Sequence, residues 1–331
     1  MRSFVRKPYL TTKPFSIGLK PIGPEAIVEV DDCFAHDLAE KGALFAADEA
    51  AVFRAEEGTL AAQAEILKVV LASATGQRPG LHEMDRDGVT VRPRAVLGEV
   101  GINGRSGVGR PARHRGAEAA AHSADRHYHF SDFADAPLKL AALLVQEDLC
   151  LMRKGDEGWR LAAAAVCFPS SWQLADKFAK PMGAIHDPVP GFAGRMLTVV
   201  ERIFDNLAPG SAVERFNWSL YTDTKLRHAE PHEEDMAALT PAELAEKLAV
   251  RVERQTLMRL PETRDILFTI RIHVDPVAAV RAHPEREKIA TALAEQLAAM
   301  TPEQLRYKGL TRAAPAIHAL LSDIAGAPQP A

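Results

Sequence analysis

The chain has 331 residues, 47% hydrophobic and 25% charged, with a formal net charge of −4. This balance is that of a globular protein; it excludes disorder over the whole length and gives no general attraction to nucleic acid or to an anionic membrane. Cys33, Cys150 and Cys167 are odd in number and lack CxxC spacing, so neither a disulfide framework nor a structural zinc site is expected.

In chain order, residues 1–30 hold several prolines and read as an extended arm ending in the turn-rich IGLKPIGPEAIVEVD. From Asp32 to about Ser73 apolar residues recur at helical spacing (Phe34, Leu38, Leu44, Phe45, then Leu60, Ile66, Leu67, Val70), with Asp31 or Asp32 as the N-cap. Residues 76–129 are rich in glycine and arginine with little apolar periodicity, and read as a long, disordered insertion. Within it Gly101–Gly107 is too weak a pattern for nucleotide binding, and His127-Tyr128-His129 places two histidines on one side of a strand, a solvated polar stretch rather than a metal site.

Order returns at Leu138. LKLAALLVQEDLCLMRK has helical spacing running into a strand, and WRLAAAAVCFPS is a buried strand stopped by Pro169. SSWQLADKFAKPMGAI then reads as a helix capped by Ser170 or Ser171, delivering the chain to Ile185-His186-Asp187-Pro188-Val189-Pro190-Gly191. An amphipathic helix over about 192–207 follows, stopped by Pro209-Gly210. Strands are predicted over 213–222, 250–260 and 266–274, the last two joined by a hairpin-length connection. In the last strand Phe268, Ile270, Ile272 and Val274 alternate with Thr269, Arg271 and His273, so its polar face is either wet or lines a site. His228-x3-His232-Glu233 has metal-like spacing, but Pro231 argues against the helix it needs. Residues 284–323 form a helical pair with a start at Thr301-Pro302-Glu303.

Five ordered segments, LVQEDLCLM (144–152), AVCFPSSWQLADKFAKPMGAIHDPVPGF (165–192), NWSLY (217–221), VERQTLMRLP (252–261) and FTIRIHVDP (268–276), resemble the haem-dependent oxidative N-demethylase family. The resemblance spans 138–310, and 15–72 weakly. It implies an α+β protein whose PAS-like antiparallel sheet has helices on the haem side and helical N- and C-terminal extensions. The expected division is an arm and helical layer over 1–75, the insertion over 76–137, a haem-binding core over 138–283 and a C-terminal extension over 284–331. The implied activity is oxidative N-demethylation of a small secondary amine such as dimethylamine by a monooxygenase-type subunit carrying haem b. Flavin and an iron–sulfur cluster are expected on partner reductase subunits, since this chain has neither a dinucleotide fingerprint nor suitably spaced cysteines. A gas sensor or carrier, or a haem-free interaction protein, would fit the same fold.

His186 is the expected axial ligand: prolines restrain its turn, and Asp187 or a backbone carbonyl would accept its other ring proton. Its structural alternative is a turn histidine that caps the next helix. Met182 and Cys167 are read as core residues. Pro188, Asn217 and Thr256 complete the expected cofactor-binding set, and Arg254, Arg271 and Glu253 are the expected catalytic groups. An arginine would stabilise negative charge on bound oxygen and a carboxylate would hold an ammonium substrate. The alternative for Glu253 and Arg271 is a cross-strand ion pair on a solvated face. The resemblance breaks at His273, where the family pattern has an aromatic phenol. No ~18-residue apolar run and no signal-peptide stretch occur, so a cytoplasmic protein without membrane span or nucleic-acid partner is expected.

Overall fold

The computed structural model describes residues 6–12, 15–93, 124–230 and 236–326. Ten strands are described: β1 (Lys20–Ile22), β2 (Phe53–Ala55), β3 (His82–Met84), β4 (Gly88–Val91), β5 (Arg126–His129), β6 (Asp148–Gly155), β7 (Gly158–Ala165), β8 (Ala212–Tyr221), β9 (Ala249–Arg259) and β10 (Ile266–Pro276). The longer helices are α1 (Phe34–Ala47), α2 (Leu60–Gln77), α3 (Pro137–Leu144), α4 (Leu197–Asn206), α5 (Arg286–Ala298) and α6 (Ala314–Gly326). The chain is thus α+β, built on a seven-stranded sheet of order β1-β8-β9-β10-β6-β7-β2 whose pairs are all antiparallel.

Strand alternation divides this sheet into two faces. On the first face Ala212 and Met258 pack with α1, α2 and α3 through Phe34, Leu38, Ile66, Val70 and Leu144. Further along the same face Trp218, Leu220, Val250 and Val252 carry α5 and α6 through Ile289, Leu293, Ile317 and Leu321. The second face presents Cys150, Met152, Trp159, Ala164, Leu257 and Ile266, and is covered by residues 174–204 through Leu174, Met182, Phe192 and Phe204.

The three late strands lie within two residues of their predicted limits, and Thr301 begins a one-turn helix (Pro302–Tyr307) with a capping box to Gln304. Several expectations are corrected. The helix predicted over 170–185 is two single turns, Leu174–Lys177 and Met182–Ile185. Between them Ala179 takes a positive φ of 61° and residues 179–181 leave the helix to bond β7 through Ala179 N–H to the Leu161 carbonyl. Ser170 bonds the Tyr221 hydroxyl instead of capping a helix. The next helix starts only at Leu197, because Ala193 and Gly194 are non-helical. Finally, the described ends of the 76–129 segment are not loop: β3, β4 and β5 form an antiparallel sheet that buries Leu81, Val89 and Val91 against α1 and α2. Asp31 accepts from Cys33 N–H just before α1 rather than capping it. Gly101–Gly107, His232 and Glu233 lie outside the described residues.

Candidate functional site

His186 ends the turn Met182–Ile185 on the second face. Its Nδ1 lies 3.0 Å from the Met182 carbonyl oxygen. A carbonyl only accepts, so Nδ1 carries the proton and the neutral ring keeps a lone pair on Nε2. Burial, with added repulsion from Lys177 and Arg215, lowers the pKa against the bond to Met182, which holds the ring neutral at pH 7. The ring stacks on Phe192 with centroids 4.2 Å apart and planes 18° apart. Gly191 makes this return possible: it turns the chain at φ 75°, which a glycine adopts without strain. Asp187 and Pro188 are exposed and the carbonyl of Met182, not Asp187, fixes the ring.

Beyond His186 the second face is apolar at one end and polar at the other. Val213, Leu257 and Phe268 stand with Ile185, Val189, Phe192 and Met196. Along β8 and β9 the same face continues with Arg215, Asn217, Glu253 and Gln255, which the register sets side by side. Glu253 Oε2 accepts from Asn217 at 3.3 Å and from Gln255 at 3.1 Å, and Oε1 lies 3.6 Å from Arg251 Nε. Arg215 donates to the Gln255 side chain at 2.8 Å and to the carbonyls of Ser16 and Ile17. Two of the expected residues, Asn217 and Glu253, are therefore on the same side as His186.

Arg254, Arg271 and Thr256 are not. They belong to the first face, where residues 25–37 cover them. Arg254 donates to Glu214 at 2.8 Å and to the Ala26 carbonyl, with Glu29 at 3.4 Å. Arg271 donates to Asp31 at 2.7 Å with Asp37 at 3.3 Å, and is 2% exposed. Burial would lift Asp31, but Arg271, His273 and Gln146 together hold it down at about 2. Thr256 bonds the Thr269 hydroxyl and the Ile27 carbonyl. The polar face of the last strand is thus neither wet nor beside His186; it is filled by carboxylates from the N-terminal segment. Glu253 and Arg271 consequently do not pair across the strands, since Glu253 stands opposite Ile272.

Arg215 was not among the expected residues, although strand alternation from Asn217 along β8 leads to it. Cys167 is buried with its thiol pushed up to about 12, and Met182 is 2% exposed in the apolar layer, as expected of core residues. Among the described residues no group of three or more His, Cys, Asp or Glu side chains is placed to hold a metal ion. His127 and His129 share a side, with rings 4.5 Å apart.

A haem ligated through one imidazole fits these residues: a fixed ring with an available Nε2, apolar and aromatic side chains around it, and polar groups on one side only. No helix among the described residues is long and apolar enough to cross a membrane. A family model described as haem-dependent oxidative N-demethylase, alpha subunit-like, matches residues 18–318.

Proposed function

Because the chain belongs to the haem-dependent oxidative N-demethylase, alpha subunit-like family, we propose that it is the haem-binding subunit of an oxidoreductase that oxidatively demethylates a small secondary amine such as dimethylamine. The observation that carries this reading is the His186 ring, whose Nδ1 proton is committed to the Met182 carbonyl while Phe192 stacks against it. Such a second bond fixes the tautomer and strengthens the donor nitrogen. The order of β7, β6, β10, β9 and β8 in one antiparallel sheet supports a PAS-like core over 138–283.

Haem b, when bound, supplies oxygen activation and the transfer of electrons. The chain's own part is positioning. His186 holds the iron from its turn, and the apolar side chains of Val189, Phe192, Leu257 and Phe268 keep water from the surrounding face. Glu253 carries the negative charge on that face; Asn217 and Gln255 steer its Oε2, and its carboxylate accepts the N–H of an ammonium substrate or a proton released from it. Electrons come from partner subunits with flavin and iron–sulfur centres, in keeping with the alpha-subunit-like family description.

The test is a spectroscopic titration of the full chain with haem. The parent takes up haem with a Soret band, and His186→Ala abolishes or shifts it. An unchanged band in the variant overturns the ligand assignment.

A further inference from the structure

Two cations stand on the polar end of the second face and, among the described residues, hydrogen-bond only to neutral partners. Arg215 uses three of its five N–H groups, on the Ser16 carbonyl, the Ile17 carbonyl and the Gln255 side-chain oxygen. Lys308 follows the turn Pro302–Tyr307 and reaches the edge of β8, where Nζ donates to the Trp218 carbonyl at 2.6 Å and to the Ser219 hydroxyl at 3.1 Å. Neither makes an ion pair with a described residue. Glu253, a carboxylate of the same face among the described residues, turns Oε2 to Asn217 and Gln255, while Oε1 makes no hydrogen bond and lies 3.6 Å from Arg251 Nε.

The two cations are close enough to act on each other. Burial lowers the Lys308 ammonium to about 8, with Glu253 opposing and Arg215 adding to the shift. Arg215 is likewise lowered by burial and sustained only by Glu253. Residues 15–17 tie the pair together: Ser16 and Ile17 receive Arg215, and the Phe15 ring lies 5.1 Å from Lys308 Nζ. Phe15 adopts a positive φ of 56°, which a bulky residue does only at a cost. Two half-buried like charges held beside each other with no ion-pair partner among the described residues repel, and spare N–H groups remain on both.

We propose that Arg215 and Lys308 form a carboxylate-binding site. Together with Glu253 on the same face it matches a zwitterion, so the substrate class deepens from a simple dialkylamine to an N-methylated amino acid, whose ammonium meets Glu253 and whose carboxylate meets the two cations. The same chemistry has one other source, a propionate of the haem. The substrate part of the proposal rests on the function proposed above; the carboxylate site itself does not.

The experiment compares the parent with Lys308→Met, Lys308→Arg and Arg215→Lys. Calorimetric titration of the full chain uses N-methylglycine, dimethylamine and acetate; spectroscopic titration uses protohaem and its dimethyl ester. If the carboxylate is the substrate's, N-methylglycine binds more tightly than dimethylamine, Lys308→Met weakens it about ten-fold, and Lys308→Arg restores it. Should it be the haem's, the parent prefers protohaem to the ester and Lys308→Met removes that preference. Arg215→Lys retains the charge and loses the guanidinium fork, so it weakens whichever carboxylate binds and keeps the test open if Lys308→Met misfolds. Equal binding of all carboxylate and non-carboxylate probes by the parent, or by the parent and folded variants, overturns the site. A chain that takes up no haem at all sinks the functional reading while the N-methylglycine arm still reports on Arg215 and Lys308.

Discussion

The two faces of the large sheet carry arginines from neighbouring strands in opposite electrostatic states. On the first face Arg254 and Arg271 are charge-paired with Glu214, Glu29, Asp31 and Asp37, although Arg254 Nη1 and Arg271 Nε find no hydrogen-bond partner. On the second, Arg215 rests on carbonyl and amide oxygens and forms no ion pair with a described residue. A buried arginine therefore says little about function until its counter-ions are counted. The first face uses charge to lock the N-terminal segment onto the sheet; the second leaves charge available beside His186.

The largest effect that would break this contrast is expected from Arg271→Leu. Removing the cation leaves buried Asp37 without its counter-ion and Asp31 beside it; stripping one partner from a buried pair costs roughly 3–5 kcal/mol, and because the Asp31 side chain is 38% exposed the loss falls at or below the lower end of that range. Denaturant unfolding should register that loss, while any Soret band of the folded variant stays where the parent has it. A variant with parental stability and an altered haem spectrum would reverse the assignment of the two faces.

A second test sharpens the contrast through pH. Glu147 is fully buried, its Oε1 accepts from the Glu29 N–H at 2.7 Å, and its Oε2 has no partner. Burial raises it from 4.5 to about 7, against the pull of Arg271 and Lys41. A folded pKa above the unfolded one means that the native state holds the extra proton between these values. The associated stability is complete below the unfolded value and is lost as pH rises through about 7, a swing on the order of 3 kcal/mol. Glu147→Gln should flatten the stability profile between pH 4.5 and 7; an unchanged slope would mean that Glu147 is ionised throughout.

The strands of this core were legible because their apolar residues alternate and Pro or Gly interrupts them. β8, β9 and β10 follow from that pattern alone, and so does the turn that restrains His186. Which side of the sheet forms the site was not legible, because polar residues occupy both sides of β9: Glu253 and Gln255 on one, Arg254 and Thr256 on the other. The choice is made by Asp31, 240 positions from Arg271, and by the Ala26 carbonyl, 228 positions from Arg254. Lys308 was hidden for the same reason, since only tertiary packing brings the turn after α5 to the edge of β8. β3 and β4 escaped notice because segments of three and four residues are too short to show a period.

The smallest expected effect comes from Thr256, a residue whose type suits a haem pocket but whose position belongs to the first face. Its hydroxyl lies 2.7 Å from that of Thr269 and 3.2 Å from the Ile27 carbonyl, so it joins the strand pair to the covering segment. Thr256→Val preserves the shape and the strand preference of the side chain and removes these bonds. A neutral hydrogen bond of this kind contributes about 1 kcal/mol net, and the valine methyl recovers part of it in an interior where Thr269 can still reach the Ile27 carbonyl. Unfolding should thus shift slightly, and haem titration of Thr256→Val should overlay the parent, because the strand itself separates position 256 from the His186 side. A displaced Soret band in this variant, with stability intact, would place the haem on the N-terminal side of the sheet and return Arg254 and Arg271 to the reacting face.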